Sequence, residues 1–158
     1  MSAAGRSGDL CVGLDVGTSG LKAVALSADG AVVAEATAGY PLLTPHPGWT
    51  EQDPDAWWSA ACHALRSVTR EVGTERIGAV GVSGQMHGMV AVDAAGAALR
   101  PALLWNDQRT ADQVALIERT IPRDELVRRT GNPAVTGFQL PKILWLRNHE
   151  PKHFDKTV

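Results

Sequence analysis

Cysteine is scarce in this chain of 158 residues, which has only Cys11 and Cys62. Neither belongs to a C-x-x-C pair or to the Cys/His spacing of a zinc site. A disulfide scaffold and a thiolate metal centre therefore find no support, and free, buried thiols in a reducing cytoplasm are expected. Long hydrophobic runs are missing too: a membrane-spanning helix needs roughly 20 apolar residues in succession. The leader Met1 to Gly8 is small and polar, without the apolar segment of a secretory signal, so a soluble intracellular chain with a frayed N-terminus is expected. There is no excess of either charge, since 15 basic and 17 acidic residues leave −2. Without a basic run or an aromatic-interleaved basic patch, neither nucleic acid nor a membrane is an expected partner. No repeat recurs at a solenoid period.

What is present begins with Leu10 to Leu26, LCVGLDVGTSGLKAVAL. An apolar run carries Asp15 to its end, Gly17, Thr18 and Ser19 turn the chain, and a second apolar run follows. Asp29-Gly30 is a favoured hairpin turn, and a third run from Ala31 to Ala36 completes a β-meander. The Gly17–Ser19 turn suits phosphate, because glycine lets backbone N–H groups converge on an anion and the two hydroxyls add donors. Asp15 beside it suits a hydrated Mg2+ that bridges to phosphate oxygens. The bland alternative is a glycine-rich hairpin whose Asp only ends a strand. Two familiar fingerprints are absent: Gly13, Gly17 and Gly20 do not have the G-x-G-x-x-G spacing, and no G-x-x-x-x-G-K-[ST] occurs.

Further along, Pro41, Pro45 and Pro47 mark a surface loop. Asp53 and Pro54 open a helix in which Trp57, Ala61, Leu65, Val68 and Val72 recur at helical spacing, and Gly73 stops it. Ile77 to Val82 has the composition of a strand buried on both faces. A polar cluster, Ser83 to Gly88, follows it; Met89 to Val92 resumes as a strand, with a turn at Asp93 to Gly96. Leu99 to Leu104 leads into Trp105-Asn106-Asp107-Gln108-Arg109, where Asp107 would cap a helix running through Arg119. A short helix from Pro122 ends at Gly131, and a last one has Leu140, Leu144 and Trp145 inward and closes before Pro151. Asp155 to Val158 has the look of a strand beginning. One hydrophobic core of mixed α/β type, with a partly antiparallel sheet, is the expectation.

The blocks GLDVGTSGLKAV, GWTEQDPDAWW, GVSGQMHGMVAVD and LLWNDQRT stand in this order, followed by TGN at Thr130 and PKILWLRNHEP. Together they resemble the N-terminal portion of the FGGY carbohydrate kinases, the xylulokinase group above all. Glycerol kinases have an Arg-Glu pair where this chain has Met86-His87. The resemblance implies a ribonuclease H-like (actin-like ATPase) α/β domain with a mixed sheet and flanking helices, apparently truncated. Residues 1–9 would be a leader and 10–158 the first part of that domain. It implies ATP and Mg2+ as cofactors and phosphate transfer to the primary hydroxyl of a ketopentose, D-xylulose to its 5-phosphate. Asp15 would contact Mg2+ through water, and Gly17, Thr18 and Ser19 would line the phosphate loop. Gln85, Met86, His87, Trp105, Asn106, Asp107 and Arg109 would meet the sugar, and the general-base aspartate would lie beyond Val158.

Each role has an alternative. His87 could be a satisfied loop histidine packed beside Met86, Trp105 could be core, and Asp107 could be a helix cap paired with Arg109. Trp57 and Trp58 read as core packing rather than a sugar platform, and Lys22 as an outward-facing strand lysine. For the chain as a whole the alternatives are a non-catalytic sugar-binding or interaction module, a kinase of ribulose or glycerol, and an ATPase without a sugar. Self-association, or pairing with a missing C-terminal part, is also expected.

Overall fold

A computed structural model describes residues 7–158. The leader expected over residues 1–9 therefore lies for the most part outside the described residues. Where one core is expected, the described residues divide into two compact units, those up to residue 41 with 55–85, and 42–54 with 86–158.

The first unit holds the expected mixed sheet. Strands β1 (Leu10–Val16), β2 (Gly20–Ser27) and β3 (Val32–Gly39) form an antiparallel meander, and β5 (Ile77–Gly84) lies parallel to β1, in the order β3-β2-β1-β5. Strand alternation sorts the side chains. Leu10, Val12 and Leu14 of β1 and Leu21, Ala23 and Ala25 of β2 are buried, while Cys11, Asp15 and Lys22 face outward. Helix α1 (Pro54–Val72) covers the buried face with Ala60, Ala61, Ala64 and Val68. Alanine on both surfaces lets helix and sheet approach closely. The Pro54 start and Gly73 stop are as expected. Trp58, expected in the core, is 71% exposed, because the helix turns its alanines rather than this tryptophan to the sheet.

Strand β5 also departs from expectation. It ends the sheet as an edge strand, and its register sets Val80 beside Val12 and Val82 beside Leu14, yet the two valines are 55% and 72% exposed. Cys11, expected buried, is exposed on the face away from α1.

In the second unit a short ladder pairs β4 (Glu51–Gln52) with β6 (Ala102–Leu103), and helices α2 (Ala111–Thr120), α3 (Arg123–Thr130), α4 (Gln139–His149) and α5 (Pro151–Phe154) follow. Met89 to Val92 forms only isolated bridges, from Met89 to Leu103 and from Val92 to Ala98. The turn after it is as expected, since Asp93 Oδ1 accepts the amides of Ala95 and Ala97, both at 2.9 Å. Gly131, left-handed at φ 76°, closes α3 by donating its backbone N–H to the Val127 carbonyl. The expected inward face of α4 is rotated: Trp145 is buried with Leu146, Pro141 and Lys142, while Leu140 is 49% exposed. Asp155 to Val158, where a strand is expected to begin, are instead a turn that follows α5 and two irregular residues.

Candidate functional site

In the first unit, Asp15 pairs across the β1–β2 hairpin with Lys22, and in parallel with Ser83 on β5. Its carboxylate is exposed on the outward face, at the rim of a shallow depression that Gly13, Lys22, Gly81 and Ser83 also line. Lys22 turns to Glu35 on β3, 2.8 Å away, as an outward strand lysine should. The turn itself is tight. The Gly17 amide donates to the Gly20 carbonyl at 3.1 Å, so it points inward rather than at an anion. A Cβ at Gly20 would fall 2.9 Å from the Ala38 carbonyl oxygen, so pairing with β3 demands glycine there. Of the two hydroxyls, that of Thr18 donates to Gln85 Oε1 at 3.2 Å, and Ser19 is exposed. The Gln85 amide in turn donates to the Val16 carbonyl at 2.9 Å, which fastens the end of β5 to the hairpin.

Tyr40, which no motif singled out, holds the same turn. Its hydroxyl donates to the Gly17 carbonyl at 2.5 Å. Burial, and then the Asp15 carboxylate, hold that hydroxyl above the ordinary tyrosine pKa. The signal was available in the register, since pairing of Gly20 with Gly39 puts residue 40 next to the turn.

In the second unit, Met86 is 67% exposed and His87 stands out through its backbone, with φ 57°. A left-handed residue with a Cβ costs about 1–3 kcal/mol and persists only where its surroundings hold it. The surroundings are specific. The imidazole stacks on Phe138, with 4.2 Å between centroids and 23° between planes. Helix α4 binds the carbonyls of the turn: Lys142 Nζ donates to His87 at 2.6 Å and Gln139 Nε2 to Gly88 at 2.8 Å. Lys142 also donates to the Gly137 carbonyl at 2.7 Å. Fully buried, it has its pKa pulled down to about 8 by desolvation; Asp107 works against that shift and Arg109 with it. Apolar spacing counts a lysine as surface, so the sequence carried no signal for it.

The Trp105–Arg109 segment divides in two. Trp105 is 46% exposed, and Asn106, half-buried, accepts from Thr50 Oγ1 at 2.8 Å. Asp107 and the Arg109 side chain are wholly buried and bound to each other. Asp107 Oδ1 accepts from Arg109 Nε at 2.9 Å, and Oδ2 accepts from Arg109 Nη2 at 2.8 Å and the Thr50 amide at 2.7 Å. Asp107 is therefore not the cap of α2; Thr110 is the residue before that helix. The Arg109 guanidinium also pairs with Glu51 at 2.7 Å and lies 3.8 Å from the centroid of the Trp49 ring. The buried Asp107–Arg109 pair thus lies in the same segment as the half-exposed Trp105 and Asn106. A Cβ on Gly137 would fall 2.1 Å from the Trp105 carbonyl oxygen, so only glycine lets that backbone approach.

Among the described residues, no group of three or more His, Cys, Asp or Glu side chains could hold a metal ion. The single carboxylate of Asp15 fits a hydrated ion carried by phosphate, not a chelated one. No helix of the described residues is long and apolar enough to cross a membrane.

A sequence model of the N-terminal domain of the FGGY family of carbohydrate kinases matches residues 10–158. The xylulose kinase of Escherichia coli strain K12 is 42% identical over 143 residues, which cover 90% of this chain and 29% of that protein. The solved xylulose kinase of Rhodospirillum rubrum superposes with a TM-score of 0.87 at 33% identity, over 94% of this chain and 31% of that one. The gluconate kinase of Lactobacillus acidophilus also reaches a TM-score of 0.87, at 27% identity, over 94% of this chain and 30% of that one. The chain thus spans less than a third of the length of these relatives. The likeness bears out the mixed, helix-flanked α/β fold of actin-like type.

Proposed function

The chain belongs to the FGGY family of carbohydrate kinases, and from that premise we propose that it serves ATP-dependent phosphorylation of a ketopentose, D-xylulose to D-xylulose 5-phosphate. The sugar is chosen on two grounds: the similarity to xylulose kinases, and the Met86-His87 pair. The observation that carries the reading is the His87 turn, held in a left-handed form by α4 while its imidazole lies on Phe138. A strained, externally fastened residue beside an exposed Met86 is what a binding contact needs and a plain loop does not.

In this reading the imidazole of His87 hydrogen-bonds a sugar hydroxyl and Met86 forms an adaptable wall. Trp105 offers a face to C–H groups, and Asn106 and Gln85 supply polar contacts. Asp107 and Arg109 position Trp105 and Asn106. Asp15 holds a water of the Mg2+ that accompanies ATP, and Gly17, Thr18 and Ser19 border the phosphate. Bound Mg2+ would neutralise charge on the phosphoryl group being moved. Everything else these residues do is orientation and electrostatic complement. A cytoplasmic location belongs to the same proposal.

Titration calorimetry with D-xylulose, ribulose and glycerol tests it. D-xylulose should bind best, and His87→Ala should weaken it at least about tenfold, the worth of one hydrogen bond to a buried ligand. Equal binding by both proteins would remove His87 from the site, and tighter glycerol binding would overturn the choice of sugar.

A second reading is favoured by the exposed edge of β5 with Val80 and Val82: an interaction module that binds sugar without turning it over. ATP-coupled formation of xylulose phosphate above the level of an Asp15→Ala control would eliminate it.

A further inference from the structure

We propose that Lys142 is a positioning residue whose ammonium group, bound to the carbonyls of His87 and Gly137, fixes the left-handed turn at His87 and so aims its imidazole. The functional consequence rests on His87 being a sugar contact, as proposed above; the positioning itself does not.

The side chain rises from α4 with none of its surface exposed, and both hydrogen bonds go to main-chain carbonyls rather than to carboxylates. Burying a cation against neutral acceptors is a costly way to stabilise a fold. It is an effective way to fix two backbone segments relative to one point, because an ammonium donates in three directions from a single atom. Here one segment is His87 itself. The other is Gly137, the residue before Phe138, whose ring underlies the imidazole. One atom thus sets both the backbone that bears the imidazole and the base of the ring it rests on.

Rotation of His87 into the right-handed region would redirect its carbonyl and leave the buried ammonium short of an acceptor, so that rotation is opposed. Gln139, binding the next carbonyl at Gly88, reinforces the same geometry from one turn earlier on α4. Gly137 extends it, because the close approach of its backbone to the Trp105 carbonyl links the Trp105–Asn106 segment to the same anchor. The falling pKa of Lys142 agrees with an ammonium enclosed by these segments.

The test is NMR on the full chain without ligand, comparing the wild type with Lys142→Met. The imidazole Cε1–H resonance of His87, shielded by Phe138 in the wild type, should move to the position of an unstacked histidine. That of His149, stacked on Trp145 with planes 16° apart on the same helix, should stay where it is and report that α4 is intact. An unmoved His87 resonance in a folded variant overturns the proposal. If the variant does not fold, the wild type decides: scalar couplings from Lys142 Nζ to both the His87 and Gly137 carbonyl carbons support the anchor, and a freely exchanging ammonium with neither coupling sinks it. D-xylulose calorimetry separates the two readings. A wild type that does not bind D-xylulose defeats the sugar assignment while leaving the His87 result standing. A folded Lys142→Met variant that loses about tenfold in affinity along with the His87 shift supports both.

Discussion

Asp107 and Arg109 form a bidentate pair with both side chains completely buried, and the same carboxylate accepts the amide of Thr50. Removing Asp107 leaves the buried Arg109 guanidinium with Glu51 as its remaining carboxylate partner and takes the acceptor from the Thr50 amide, a loss of roughly 2–3 kcal/mol. Asp107→Ala should therefore lower the denaturant midpoint steeply, whereas Asp112→Ala, on the first turn of α2, should change it little. A midpoint for Asp107→Ala within error of wild type would mean that the pair does not hold this unit together.

Lys142 makes stability depend on pH in the alkaline range. Its pKa is about 8 in the folded chain against an ordinary value of 10.5. Below the lower value both states are protonated, and the full cost of burying the cation is felt. Between the two the unfolded chain holds the proton that the folded chain has released. Stability then rises with pH, by about 3 kcal/mol across the interval. Urea midpoints measured from about pH 7 to about pH 10 should rise more for the wild type than for Lys142→Met. Parallel profiles would show that this lysine does not titrate early.

Tyr40 should matter to the hairpin more than its place at a loop boundary suggests. Tyr40→Phe removes the donor to the Gly17 carbonyl and should cost about 1 kcal/mol. Amide exchange at Gly17 to Gly20 should accelerate, with β3 protection unchanged. If exchange in the turn stays at the wild-type rate, the hydroxyl does not restrain it.

What could be read in advance was what neighbours in sequence determine. The β1–β2–β3 meander follows from alternation and Asp29-Gly30, and α1 from Asp53-Pro54 at one end and Gly73 at the other. Misreadings came from partners far away in sequence. An Asp a few residues before a helix resembles a cap, but the Asp107 carboxylate is taken by Thr50, 57 residues earlier. Ile77 to Val82 has the composition of an interior strand, and composition does not say which strand ends a sheet. The candidate sugar residues were legible as a motif, while their supports, Lys142 and Gly137, act through packing that has no sequence pattern.

The β5 edge gives the last prediction. Exposed valines beside unpaired backbone groups on a sheet edge favour pairing with another chain, and natural edges blunt this with charge. Val80 and Val82 lie on the helix side of the sheet, in register with buried Val12 and Leu14. An approaching strand would therefore bury them next to an existing core. Sedimentation should show association that grows with concentration. Val80→Lys with Val82→Glu should weaken it at least about tenfold, since each exposed valine contributes on the order of 1 kcal/mol when covered. Helix content should be unaffected, because neither residue supports α1. A wild-type chain that stays monomeric at every concentration would show that this edge is protected despite its exposed valines.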